Sequence, residues 1–207
     1  MSRFTQAISE GDGISVVPVL EGDVAELARA AEAAGAEAIA VPTFADAEAT
    51  PGAVAVPVLV RAPVRSGDDL RRAEEAGIDA LVLAYDELGD EGALLEELHA
   101  DALALELDCV LAVRDDEELE LALERLDPDI VLISRPERED DEDDELERVL
   151  DLLPDVPAGK LVVAEIGMIA RDQALALERA GIDAVLVACG PGAAPDFAAR
   201  VAELTGR

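Results

Sequence analysis

The chain has 207 residues, 48 of them acidic and 16 basic, and its formal net charge is −32. That length suits one α/β domain able to bury roughly 70% of its unfolded surface, and so large an excess of acid excludes a nucleic-acid-binding surface, which needs a basic stripe. No apolar run reaches the roughly 18 residues of a membrane span, and Met1-Ser2-Arg3 leads into no signal-peptide core, so a cytoplasmic protein without a membrane partner is expected.

Hydrophobic residues make up 51% of the chain and aromatics only 2%, which predicts a core of Ala, Val, Leu and Ile under helices. The charge repels itself in dilute buffer and is screened in molar salt, where the Debye length falls to about 3 Å. Acids are spread over every predicted helix and Lys160 is the single lysine, so the composition reads as that of a halophile's cytosolic protein.

After a polar lead over 1–13, Ile14 to Leu20 reads as a strand, and Asp23 caps a helix with Val24, Leu27, Ala28 and Ala31 on one face. Ala38 to Val41 is a second strand. Thr50-Pro51-Gly52 then breaks the next helix short. Pro57 to Arg61 is a strand, Asp68 to Ala76 a helix, and Ala80 to Ala84 a strand. A helix from Gly92 to Leu107 carries the single His99, and Asp108 to Val113 follows as a strand. Asp115-Asp116-Glu117-Glu118 meets the positive end of a helix whose stripe is Leu119, Ala122, Leu123 and Leu126. Ile130 to Ser134 is the sixth strand. The acidic run from Arg138 merges into a helix expected to turn Leu146, Val149, Leu150 and Leu153 inward. Leu161 to Glu165, a helix from Arg171 to Ala180, Ala184 to Val187 and a helix from Pro195 to Thr205 complete the chain.

One join recurs. Ala34-Gly35-Ala36-Glu37, Ala76-Gly77-Ile78-Asp79 and Ala180-Gly181-Ile182-Asp183 each end a helix on glycine, add an acid and enter an aliphatic strand, while Leu126-Asp127-Pro128-Asp129 does so without glycine. Eight such units of roughly 26 residues predict a compact (β/α)8 TIM barrel spanning 1–207 as one domain, with a truncated second helix. An open, doubly wound sheet is the alternative, because periodicity does not show closure.

In such barrels the reactive groups sit at the C-terminal strand ends. Those positions are Val19 and Leu20, Pro42 and Thr43, Arg61, Tyr85 and Asp86, Ala112 to Arg114, Ser134 and Arg135, Glu165 to Gly167, and Ala188 to Gly190. Arg61, Arg114 and Arg135 are read either as an anion-binding cluster or as three arginines neutralised by local acids. Glycines 167 and 190 either expose backbone N–H groups to an anion or only turn the chain. Cys109 and Cys189 read as buried, reduced thiols and His99 as a helix residue outside the barrel, which leaves no nucleophile and base together. The run 139–145 lacks the glycine and ligand spacing of a calcium loop, so no metal or cofactor is assigned.

The segments Pro57-Val58-Leu59-Val60-Arg61-Ala62-Pro63-Val64, Val110-Leu111-Ala112-Val113-Arg114-Asp115-Asp116-Glu117-Glu118-Leu119 and Val162-Val163-Ala164-Glu165-Ile166-Gly167-Met168-Ile169 resemble strands three, five and seven of indole-3-glycerol phosphate synthase. The resemblance runs from Ile14 onward. It implies a lyase that closes an indole ring on an anilino-deoxyribulose phosphate, with an acid and a base facing each other across the barrel mouth. The family's strand-one glutamate and lysine fall within Val16-Val17-Pro18-Val19, its strand-three lysine on Arg61, its strand-five glutamate on Ala112, its strand-six asparagine on Ser134 and the serine of its Glu-Ser-Gly on Ile166. Glu165 and Gly167 match. The expectation is therefore a catalytically degenerate barrel that takes a small anionic or phosphorylated ligand, through Arg114, Ser134, Arg135, Gly167 and Gly190, or a protein partner. An active lyase using Arg61 and Glu165, and a structural or regulatory subunit, are the alternatives.

Overall fold

Eight parallel strands close into a barrel in sequence order: β1 (Ser15–Val19), β2 (Ile39–Val41), β3 (Val58–Val60), β4 (Ala80–Ala84), β5 (Asp108–Val113), β6 (Ile130–Ile133), β7 (Leu161–Ile166) and β8 (Ala184–Ala188). Closure comes from β1 and β8, which pair from Ser15 with Ala184 to Val19 with Ala188. This is a computed structural model, and it describes residues 2–11, 13–50, 52–89, 93–135, 142–167, 169–188 and 194–206, at 142–144 and 194 by backbone alone.

The helices are α1 (Arg3–Ser9), α2 (Val24–Ala33), α3 (Phe44–Ala49), α4 (Gly67–Glu75), α5 (Tyr85–Leu88), α6 (Leu94–Ala104), α7 (Asp116–Arg125), α8 (Glu142–Leu152), α9 (Arg171–Ala180) and α10 (Ala194–Thr205). Among the described residues, three begin on side chains that accept a backbone N–H of the first turn: Asp23 from Glu26, Thr43 from Asp46, and Asp115 from Glu118. The second helix after a strand, α3, is truncated to six residues as its Pro-Gly stop requires. No helix among the described residues is long and apolar enough to cross a membrane.

The recurring join has a mechanical role in both its parts. Gly35, Gly77 and Gly181 have φ of 93°, 70° and 109°, the left-handed region that reverses the chain out of a helix. The acid then ties down the neighbouring strand, because Asp79 accepts the Val58 N–H at 2.9 Å and Asp183 the Val162 N–H at 2.7 Å. At the join without glycine, Leu126 leaves α7 in an extended conformation instead.

Two cores result from the alternation of strand side chains. Ile39, Val41, Val60, Leu81, Leu111, Val131, Val162 and Val185 pack outward under the helices, while Val17, Val19, Ala40, Leu59, Val110, Ala112, Leu132, Val163 and Leu186 fill the barrel. The lead at 1–13 departs from expectation. Its residues 3–9 form α1, which inserts buried Phe4 and Ile8 into the barrel core and so plugs the N-terminal end. Thr5 N–H donates to Asp108 at 2.9 Å, and Arg3 pairs with Asp79 at 2.8 Å, fixing the plug to the strand bases. A single turn, α5, also separates β4 from a shortened α6. Around α8 Val149 and Leu152 are buried and Leu146 and Leu153 pack partly buried against the same core, whereas Leu150 faces outward at 37% exposure.

Candidate functional site

The alternation that fills the barrel also aims its upper rim. Leu59, Ala112, Leu132 and Val163 point inward, so Arg61, Arg114, Ser134 and Glu165, each two residues further on, take the same direction at the C-terminal mouth. In the eight-stranded ring β3 and β7 stand four strands apart, which places them opposite each other.

Arg61 and Glu165 meet across that mouth. Arg61 Nη2 lies 2.6 Å from Glu165 Oε1, with the two side chains 30% and 12% exposed. Glu165 Oε2 also accepts the Arg135 backbone N–H at 3.2 Å. The Arg61 Nε is buried and has no hydrogen-bond partner among the described residues. One arm of the guanidinium is therefore engaged while another polar atom is left unsatisfied, an arrangement that costs about 1–3 kcal/mol where water is excluded.

Arg114 is held away from this pair by its own acids. It lies 3.0 Å from Asp86 and 2.5 Å from Glu118, and the hydrogen bond to Glu118 raises its pKa above the ordinary arginine value. Ser134 donates its hydroxyl to the Val113 carbonyl at 3.2 Å. Arg135 points to the outer rim, where its Nε lies 2.5 Å from Glu145 Oε1, and the Gly167 N–H donates to Glu145 Oε2 at 2.9 Å. The three arginines thus each carry a carboxylate partner. Gly190 and Cys189 lie outside the described residues, as do residues 139–141 of the acidic run.

Glu145 and Arg148 are the participants the sequence reading missed. Glu145 stands at the end of the acidic run 139–145, yet it is 1% exposed, and Arg148 Nη1 donates to the Ser134 carbonyl at 2.8 Å. A signal was present: Glu145, Arg148, Val149 and Leu152 follow the i, i+3, i+4, i+7 spacing of one helix face.

The remaining chemistry-bearing groups stand elsewhere. His99 is half-buried on α6, with its pKa lowered by that burial. Burial, and secondarily Asp108, pushes the Cys109 thiol up to about 12, which makes it inert at neutral pH. Among the described residues no cluster of His, Cys, Asp and Glu is arranged to hold a metal ion. A cavity of about 320 Å³ lined by Gly13, Glu37, Arg171 and Glu178 opens at the N-terminal end, far from the mouth.

A closed barrel of eight parallel strands separated by helices defines the (β/α)8 class, in which the C-terminal mouth carries function. Within the class, the chain belongs to the indole-3-glycerol phosphate synthase family, whose family model matches residues 18–204. It is 33% identical over 189 residues to the indole-3-glycerol phosphate synthase of a Nocardioides species, a match covering 86% of this chain and 68% of that protein. With the enzyme of that name from Acidithiobacillus ferrooxidans it shares 36% identity over 115 residues, or 56% of this chain and 42% of the relative, so it matches less than half of that protein's length. Among solved structures, a tryptophan synthase from M. tuberculosis superposes with a TM-score of 0.74 at 17% identity, covering 99% of this chain and 98% of that one, a likeness of fold alone.

Proposed function

We propose that this chain is a catalytically degenerate member of its family, working in a high-salt cytosol, whose barrel mouth holds a small anionic or phosphorylated ligand instead of closing an indole ring. The observation that carries this reading is the Arg61–Glu165 pair at 2.6 Å, spanning the mouth where the resemblance requires an acid and a base to face each other with substrate between them.

Arg61 suits anion binding better than proton transfer. A guanidinium whose pKa exceeds about 12 stays charged and offers a planar fork to carboxylate or phosphate, but releases no proton at neutral pH. Its unsatisfied Nε supplies a second donor for an incoming oxyanion. Ala112, Val17 and Val19 offer nothing ionisable to replace the other members of the family's acid-base set.

The purified chain in molar KCl, given the anilino-deoxyribulose phosphate, is expected to form no indole product above the uncatalysed rate. It is also expected to bind inorganic phosphate in a calorimetric titration, with affinity lost in Arg61→Ala. Turnover at an ordinary enzymatic rate, or phosphate binding indifferent to Arg61, would overturn the proposal in favour of an active lyase or a structural subunit respectively.

A further inference from the structure

Between the ends of β6 and β7 and the first turns of α8 lies a small cradle built for a negative charge. The Gly167 N–H donates to Glu145 Oε2 at 2.9 Å, and Arg135 Nε reaches Glu145 Oε1 at 2.5 Å. A Cβ at 167 would lie 2.9 Å from Arg135 Nη1 and 3.5 Å from Glu145 Oε2, so a larger residue there would push the Arg135 guanidinium aside. One turn along α8, Arg148 Nη1 binds the Ser134 carbonyl at 2.8 Å, so the helix is fastened to both strand ends.

A backbone N–H and a guanidinium converging on one anion are the donors that would receive a phosphate oxygen. Here they converge on a side chain of the chain itself. Carboxylates near the start of an acidic helix ordinarily stay in water, where their charge needs no partner. Glu145 is 1% exposed and depends on these two donors for the stability of its charge.

We infer that Glu145 is an internal competitor, an autoinhibitory carboxylate that occupies the oxyanion cradle formed by Gly167 and Arg135. The inference rests on the anion-binding reading of the mouth. An external oxyanion enters by taking over both donors while Glu145 turns out to solvent with its charge intact. The apparent affinity is then the intrinsic affinity reduced by the small fraction of molecules with Glu145 displaced.

The test is a calorimetric titration of inorganic phosphate into the full chain, Glu145→Ala and Glu145→Gln in molar KCl, with the amide resonance of Gly167 followed by NMR. Glu145→Ala is expected to bind phosphate about tenfold tighter or more, as removal of a tethered competitor requires. The Gly167 resonance should move as it binds. Adding Arg135→Ala to Glu145→Ala should abolish the gain. Glu145→Gln, which keeps an oxygen for the Gly167 N–H but no charge, should give a smaller gain in the same direction. Folded variants that bind phosphate no tighter than the parent make Glu145 a brace between α8 and β7 and overturn the inference, as does a gain that survives the loss of Arg135. Should neither variant fold, the parent decides: phosphate at several hundred millimolar must move the Gly167 resonance, and a stationary signal is a negative result. Failure of the underlying reading looks different, because it shows in Arg61→Ala and in the turnover assay rather than in the comparison of Glu145 variants.

Discussion

Arg61 and Glu165 come from strands on opposite sides of the barrel and join at 2.6 Å, so the mouth is bridged by an ion pair that belongs to no local element. Removing one partner strands the other in a site that is mostly closed to water. Arg61→Met is therefore expected to cost about 2 kcal/mol in thermal or urea unfolding, whereas the double variant Arg61→Met with Glu165→Leu should recover most of that loss. Equal losses in the single and double variants would show that the pair is not a coupled unit.

The helix-to-strand joins give a reciprocal pair of changes. At Gly181, with φ 109°, a Cβ would meet no atom within 4 Å, so Gly181→Ala pays only for the left-handed backbone, about 1–2 kcal/mol. Glu106 occupies a left-handed position without being glycine, at φ 60°. Glu106→Gly should be neutral or stabilising by up to about 1 kcal/mol, and unfolding midpoints measured side by side check both signs.

Asp183 predicts an unusual pH dependence. Burial raises its pKa, against the opposing hydrogen bond from the Val162 N–H. The folded state thus holds this proton more tightly than the unfolded state, and the stability from the neutral form is present below the unfolded pKa and lost as pH rises through the folded one. Asp183→Asn keeps an acceptor for Val162 and should melt about 1–2 °C above the parent at pH 7, with the difference vanishing near pH 3. A variant that melts lower at pH 7 would contradict the sign.

Cys109 should be invisible to thiol reagents while the chain is folded. In a Cys189→Ser background it is the single thiol, and a pKa of about 12 leaves almost no thiolate at pH 8. Reaction with a disulfide reagent is expected only on unfolding in urea, with a rate that tracks global opening. Fast labelling in native buffer would count against the buried placement.

With a net charge of −32, stability should depend steeply on salt. Raising KCl from 0.1 M to 3 M shortens the Debye length from about 10 Å to below about 3 Å and should raise the melting temperature by about 10 °C or more. The exposed pairs, such as Arg72 with Glu48, contribute little to this, because screening weakens them as it relieves the repulsion. A melting temperature that is flat across that range would remove the high-salt reading of the composition.

The sequence by itself determined the units. Glycine at 35, 77 and 181, aliphatic runs with both faces covered, and acids placed to cap helices are local features, and local sterics and hydrogen bonding suffice to turn them into eight strands separated by helices. The C-terminal strand ends that carry 61, 114, 134 and 165 are legible in the same way, but not which side chains there turn inward, since the sequence reading groups Arg135 with Arg61 and Arg114. What only the tertiary structure decided is which charges meet. Arg61 finds Glu165 because ring closure brings β3 opposite β7, and Glu145 leaves its acidic run for Gly167 and Arg135 because α8 packs on Val149 and Leu152 instead of Leu150. The plug formed by Phe4 and Ile8 is of the same kind, since seven residues gain a reason to be helical only when a barrel end offers them an apolar seat. The Arg61–Glu165 pair and the seat of α1 join residues far apart in the chain, and their energies exist only once the barrel has closed.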